Sequence, residues 1–311
     1  MKRLALPESG NKASQPAGAD NFFDDACIQD MDYFVKTVAG IKAKGARTDL
    51  IGPLIAHYAS KWLPDLSGEA STYTEESPGG ATASWMKKRF FVETLVGILP
   101  HEKDSVSCNF LLRLLRVANM VSVDPNTIAE LEKRVSCQLD QASLKELMIP
   151  SFSHTCGTLL DVELVARLVK MFVRVDEVSK SVASLIKVAK LVDSYLAEVA
   201  ADSKLGLEEF AELCSALPSH ARANDDGLYR AIDTYLKAHP GLTKQERKTL
   251  CGLIDCGKLS GEASSHAVQN DRLPIRCVIQ ILYLEQTKFT RTMVDWSGSF
   301  TSSRSPNVAA A

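Results

Sequence analysis

The sequence predicts an all-α protein, a single multi-helix domain of stacked antiparallel helix pairs or a bundle, with no sheet. Three observations carry that prediction. Every strong apolar segment of the 311 residues repeats with the 3.6-residue period that places one stripe on one helix face. Start and stop signals recur between those segments, among them two S/T-x-x-E capping boxes at 143–146 and 243–246. No run alternates apolar with polar residues, and no hairpin dipeptide separates two β-branched runs.

Residues 1–20 are rich in Gly, Ala, Ser and Pro without a period and read as a flexible arm. The helical domain is expected over 21–290. Its first helix is predicted over 30–44, with Met31, Phe34, Val35, Val38 and Ile41 as the stripe and Gly45 as the C-cap. Thr48 is expected to cap a second helix that carries Leu50, Ile51, Leu54, Ile55, Tyr58, Trp62 and Leu63 and stops at Pro64. Residues 67–83 shift to Gly, Ser, Thr, Glu and Pro, which bury too little apolar surface to order themselves, and read as a mobile loop. A helix resumes near Trp85 and runs through Phe90, Phe91, Leu95, Val96 and Leu99 to Pro100. The next is expected to start at Asp104 or Ser105 and to bury Phe110, Leu111, Leu114, Leu115 and Ala118, with Arg113 and Arg116 solvated or ion-paired beside that stripe.

Asp124-Pro125, a cap followed by a first-turn proline, opens a helix with Ile128, Leu131, Val135 and Leu139 inward and Glu132, Lys133 and Arg134 outside. The 143–146 box leads a short helix ended by Pro150. Asp161 then caps a helix with Val162, Val165, Leu168, Val169 and Phe172 inward, and the period persists longest over 180–200. A helix with Phe210, Leu213 and Cys214 is broken by Pro218. After the 243–246 box come Leu250, Leu253 and Ile254, a short helix from Ser260, and a last helix after Pro274 presenting Ile275, Val278, Ile279, Leu282 and Tyr283 to the core. Residues 291–311 are Ser-rich and read as a disordered tail.

The most fully specified segment is 224–240. Leu228, Ile232, Tyr235 and Leu236 fall on one face, and Asp226, Arg230, Asp233 and Lys237 on the other. Asp226 precedes Arg230, and Asp233 precedes Lys237, by four residues, a pairing worth about 0.2–0.5 kcal/mol each. Asp225 is expected to be the N-cap, and Pro240 with Gly241 the stop. Tyr229 lies where the two faces meet, so its hydroxyl is a candidate partner contact.

This run from Asp225 to Pro240 resembles the signature of the plant non-phototropic hypocotyl three / root phototropism two-like family. Further matching runs stand at 111–116, 131–134, 138–142, 149–151, 253–256 and 266–274, and at Glu285-Gln286, so the resemblance covers about 21–289. It implies a helical domain that follows a BTB/POZ domain and precedes a coiled coil, both expected to be missing here. It also implies a substrate adaptor of a cullin-three E3 ubiquitin ligase that works with phototropin receptor kinases or auxin transport at the plasma membrane. Asp225, Asp226, Tyr229, Arg230 and Asp233 are then the candidate partner contacts. A regulatory chain that competes with full-length relatives, and an enzyme with an unrecognised site, are the alternatives.

Composition and motifs narrow the chemistry. With 45% hydrophobic and 24% charged residues and a net charge of −2, the chain has the balance of a soluble globular protein and no basic footprint for nucleic acid or an anionic membrane. No apolar run approaches the length of a membrane span, and a cytoplasmic location is expected, with any membrane association through partners. Phosphate-binding, dinucleotide, zincin and nucleophile-elbow motifs are absent, so no catalytic residue, cofactor or metal is predicted. Eight scattered cysteines read as free buried thiols; Cys251, Cys256, His266 and Cys277 are the one grouping that suggests zinc, without a C-x2-C pair. His154 and Cys156 are too close in sequence to form a base–nucleophile dyad, and adjacent Asp225 and Asp226 point too far apart for paired acid–base work. Ser305, before Pro306, is a candidate phosphosite.

Overall fold

The computed structural model describes residues 20–45, 47–63, 81–152, 157–174 and 181–301. The arm, nearly all of the 67–83 loop, His154, Cys156 and Ser305 lie outside the described residues. Within them the fold is all-α: α1 (Asp20–Ala43), α2 (Thr48–Trp62), α3 (Ala81–Ile98), α4 (Cys108–Met120), α5 (Pro125–Cys137), α6 (Leu144–Leu147), α7 (Val162–Arg174), α8 (Val182–Val199), α9 (Leu207–Cys214), α10 (Asp226–Ala238), α11 (Lys244–Cys251), α12 (Gly261–Val268) and α13 (Ile275–Thr301). The described residues hold no strand, and an isolated antiparallel bridge joins Pro150 to Leu160. None of the helices is long and apolar enough to cross a membrane among the described residues.

Helices pack pairwise along the chain: α1 on α3, α4 on α5, α5 on α7, α7 on α9, α8 on α10, and α12 on α13. One hydrophobic core runs continuously from Met31 to Ile281. Ile55, Leu112, Leu131, Leu164 and Ile232 are fully enclosed in it, each worth about 1.5–3 kcal/mol relative to exposure. Backbone proximity matters at Gly52, where a Cβ would lie 1.7 Å from the Ser105 carbonyl oxygen, so only glycine lets α2 approach that loop.

Local signals that rest on short-range chemistry are realised. Gly45 ends the first helix with a left-handed φ of +74°. The Asp124 carboxylate accepts from the Asn126 N–H at 2.9 Å, and Asp161 from the Leu164 N–H at 2.9 Å. Thr243 and Glu246 form the reciprocal box. Other expectations fail because a distant partner outcompetes the local one. The 143–146 box does not close: Ser143 makes no side-chain cap bond, and Glu146 is buried beside Arg113 at 3.8 Å and Arg116 at 3.7 Å. Glu132 is buried rather than outside, held by Arg167 at 3.0 Å, and Arg134 donates to the Pro100 carbonyl at 3.0 Å. Arg47, not Thr48, occupies the cap position of α2, and α4 begins after Ser107 instead of at Asp104 or Ser105, with Asp104 at a φ of +64°.

Amphipathic stripes proved broader than the faces they fill. Leu50, Leu54, Trp85 and Phe90 are exposed at the edges of α2 and α3. In α13 the core side is Cys277 and Ile281 with Val278 and Leu284 beside them, while the expected stripe of Ile275, Ile279, Leu282 and Tyr283 faces outward at 50–74% exposure. The helix carries apolar residues on both sides, and the side that meets α12 and the 3₁₀ turn at Cys256–Lys258 is the one that is buried. It also continues to Thr301 where a tail was expected from 291, since no proline interrupts it and its first glycine is Gly298.

Candidate functional site

Helix α10 is set against α8 by a close approach. A Cβ on Gly227 would sit 3.1 Å from the Asp193 Cβ, so the glycine of the Asp-Asp-Gly run lets the two helices touch. Asp193 is itself held by the buried Arg222 at 2.8 Å. On the far side of α10, Tyr235 stacks on Phe210 at 4.1 Å and on His239 at 3.9 Å, and its hydroxyl donates to the Leu205 carbonyl at 2.9 Å.

The acids before and within the helix are structural ties. Asp225 is 5% exposed and makes no side-chain cap bond; its Oδ2 accepts from the Asp255 N–H at 2.8 Å, and its own N–H donates to the Lys258 carbonyl at 3.3 Å. Asp226 reaches past Arg230 and accepts from the Ser260 N–H at 2.9 Å. Ser260 in turn caps α12 by accepting from Ala263. Asp225 holds the expected N-cap position, but its side chain, like that of Asp226 expected to pair with Arg230, bonds the 255–260 turn instead. Unsatisfied backbone donors in that turn would cost more than an exposed ion pair returns.

Asp233 is the centre of the site, and it is not on a wet face. It is 4% exposed. Its Oδ1 accepts from Asn270 Nδ2 at 2.7 Å and Arg272 Nε at 2.9 Å, and its Oδ2 from Lys237 Nζ at 2.8 Å, the one i,i+4 pair that forms as expected. Burial works against its charge, but the bonds from Lys237, Arg272 and Asn270 outweigh it and hold the carboxyl below the ordinary aspartate range. Arg272 is raised in turn, first by its bond to Asp233.

Tyr229 is 1% exposed, so its hydroxyl is not presented to solvent. It contacts His266 Nδ1 at 2.6 Å and accepts from Asn270 Nδ2 at 3.3 Å. Burial raises the Tyr229 phenol above its usual range. Asn270 is therefore the bridge between Tyr229 and Asp233, and Arg272 the second cation.

Above this network a cleft of about 330 Å³ is lined by Tyr229, Arg230, Asp233, Thr234, Lys237, Glu262, Ala263 and His266. Arg230 lies at its rim, paired with Glu262 at 2.9 Å and 66% exposed. Of the candidate contacts, the structure gathers Asp225, Asp226, Tyr229 and Asp233 into internal bonds and leaves Arg230 facing outward. Residue reasoning missed Gly227, Asn270 and Arg272. The signal for the last two lay in the His266-to-Pro274 run, whose polar residues had no role in a stripe. His266 is held by Tyr229, and no three His, Cys, Asp or Glu are placed to hold a metal ion among the described residues.

A family model described as the NPH3 family matches residues 20–264. The chain is 40% identical to Coleoptile phototropism protein 1 of Oryza sativa subsp. japonica, over 92% of this chain and 47% of that protein. It is 38% identical to Root phototropism protein 3 of Arabidopsis thaliana, over 93% of this chain and 50% of that one. A BTB/POZ domain-containing protein of Arabidopsis thaliana, At1g30440, is 38% identical over 89% of this chain and 45% of its own length. The chain spans about half the length of these relatives. No solved structure matches it.

Proposed function

This chain belongs to the NPH3 family, and from that premise we propose that it is a non-catalytic protein-recognition module of phototropic signalling, acting as a target-holding adaptor in the manner of cullin-three E3 ligase components. The observation that carries this reading is the match over 92% of the chain to a protein named for coleoptile phototropism. The geometry supports it in kind. The signature acids and Tyr229 fix α10, α12 and the 255–260 turn as one rigid unit, which is what a recognition surface needs. What that unit offers outward is Arg230, Thr234 and Lys237 around the cleft. A partner of phototropin receptor-kinase type, met at the cytoplasmic side of the plasma membrane, belongs to this proposal, which the names of two relatives support as far as phototropism. Cullin three would be reached through a BTB domain and not through this helical unit.

The test is a binding assay of the purified chain against a phototropin-type kinase and against cullin three. Binding to the kinase is expected, with Arg230→Glu weakening it about tenfold or more while leaving the melting temperature in place. Direct micromolar binding to cullin three would overturn the division of labour. Unchanged kinase binding by Arg230→Glu would move recognition to another surface.

A further inference from the structure

The connection between α6 and α7 meets the C-terminal end of α8 around a cavity of about 230 Å³. Its lining is mainly apolar, with Leu159, Leu160, Val199 and Leu205 among the side chains, and includes the carboxylates of Glu198 and Asp202. The connection is pinned at this point. The Leu159 N–H donates to Asp202 Oδ2 at 3.1 Å, and the Leu159 carbonyl accepts from the Ser151 N–H at 3.1 Å. The Asp161 N–H donates to the Ile149 carbonyl at 2.9 Å, which completes the bridge between Pro150 and Leu160. Leu159 is nonetheless 79% exposed, the most exposed of the large apolar side chains among the described residues. A backbone tied on both sides holds that leucine outward beside a preformed apolar cavity, as at a contact site.

Charge indicates what the cavity receives. Glu198 stands in the last turn of α8 and Asp202 lies three residues beyond its end, where the unpaired carbonyls of the helix already carry partial negative charge. A basic residue is favoured there, and the last turn of α8 has none. Neither carboxylate forms an ion pair among the described residues. Lys204 is bonded to Asp202 through its backbone N–H at 2.9 Å, while its stem runs toward Gly157, where a Cβ would lie 3.4 Å from Lys204 Cδ. The two oxygens of Asp202 each hold a backbone N–H, so Glu198 is the carboxylate left for an incoming cation.

We propose that this cavity is a docking pocket for a segment of a partner protein that inserts one bulky apolar side chain beside Leu159 and sets a lysine or arginine against Glu198. The volume is below the roughly 300–1,000 Å³ of a small-molecule site and suits a single side chain. The apolar insertion supplies most of the affinity, and the exposed ion pair selects the sign of the neighbouring residue. The pocket shares no lining residue with the cleft around Arg230, so it is a second surface that stands apart from the recognition role assigned to α10.

The experiment follows fluorescence anisotropy of a labelled synthetic peptide, with Leu, Lys and Arg in succession in a Gly-Ser background, on titration with the purified 311-residue chain. Saturable binding is expected, weakened about tenfold by Ser in place of the leucine and about fivefold by Glu in place of both cations. It should also weaken as salt is raised. Leu159→Asp and Glu198→Lys change exposed side chains and should keep the melting temperature while weakening the basic peptide about tenfold. Glu198→Lys should in addition bind the Glu-substituted peptide better than wild type does. Arg230→Glu should leave the titration unchanged, which separates failure here from failure of the α10 surface. Equal binding of the three peptides, no binding at millimolar concentration, or unchanged binding by both Leu159→Asp and Glu198→Lys would overturn the proposal.

Discussion

Helices α10 and α13 are both strongly periodic, yet each is placed differently from what its stripe suggests. In α10 the apolar face packs as expected, and the opposite face is also drawn inward at Asp233 by Asn270 and Arg272. In α13 the strongest apolar side faces out, while Cys277 and Ile281 on the other side meet the core. The contrast teaches that periodicity identifies a helix and its candidate faces, whereas the choice of buried face belongs to what arrives from elsewhere in the chain. Desolvating a carboxylate is acceptable in α10 because three donors converge on it. Exposing apolar side chains is acceptable in α13 because a folded surface always retains apolar area.

The largest effect should come from the face of α10 that both readings agree on. Ile232 is fully buried, so Ile232→Asp places an unpaired charge in the core and should cost at least about 3–5 kcal/mol, enough to unfold much of the population. Urea titration followed by circular dichroism measures it. A stable Ile232→Asp chain would mean that α10 does not pack on α8 as described.

Next in size is a pair of substitutions within α13. Ile281 is 1% exposed and Ile279 is 59% exposed, two residues apart on one helix. Ile281→Ala should cost about 2–5 kcal/mol and Ile279→Ala within about 0.5 kcal/mol. Equal costs would show that the outward side is covered in solution, for example by a second copy, and a dependence of the Ile279→Ala cost on protein concentration would identify that case.

Asp233 sharpens the comparison further. Asp233→Ala leaves Asn270 and the two cations without their acceptor and should cost about 2–4 kcal/mol, discounted for the partial exposure of Lys237 and Arg272. The carboxyl is held below the ordinary value, so its contribution is fully present at neutral pH. It is lost as pH falls below the ordinary aspartate value of about 4 toward the lower folded value. Asp233→Asn should therefore show a weaker loss of stability over that acid range than wild type. Parallel acid profiles would mean that the carboxylate is not paired.

Helix existence and most caps were legible in the sequence because a cap is settled within four residues: Asp124, Asp161 and the Thr243–Glu246 box needed nothing distant. The resemblance pointed to α10, the helix that carries Tyr229 and Asp233. The roles within it were not legible, because Asp233 meets Arg272 39 residues away, Asp225 meets Asp255 30 residues away and Arg116 meets the Glu146 backbone 30 residues away. An i,i+4 rule compares an acid only with its own helix. It saw Lys237 and could not see Asn270. Gly227 was equally silent, since its reason is the Asp193 side chain of another helix.

The smallest effect belongs to the candidate contact that faces water. Arg230 and Glu262 are 66% and 84% exposed at their side chains, and their 2.9 Å contact joins α10 to α12 across solvent. Solvent screens such a pair, and holding two long side chains in place costs entropy that offsets the attraction. Arg230→Ala should thus change stability by no more than about 0.5 kcal/mol, and a double-mutant cycle with Glu262→Ala should return a coupling of the same size that fades in 1 M salt, where the screening length is about 3 Å. This is the reverse of Asp233, whose partners act at short range out of the solvent. If Arg230→Ala proved as costly as Asp233→Ala, the cleft rim would be part of the scaffold, and the outward surface assigned to partner recognition would have to lie elsewhere on the domain.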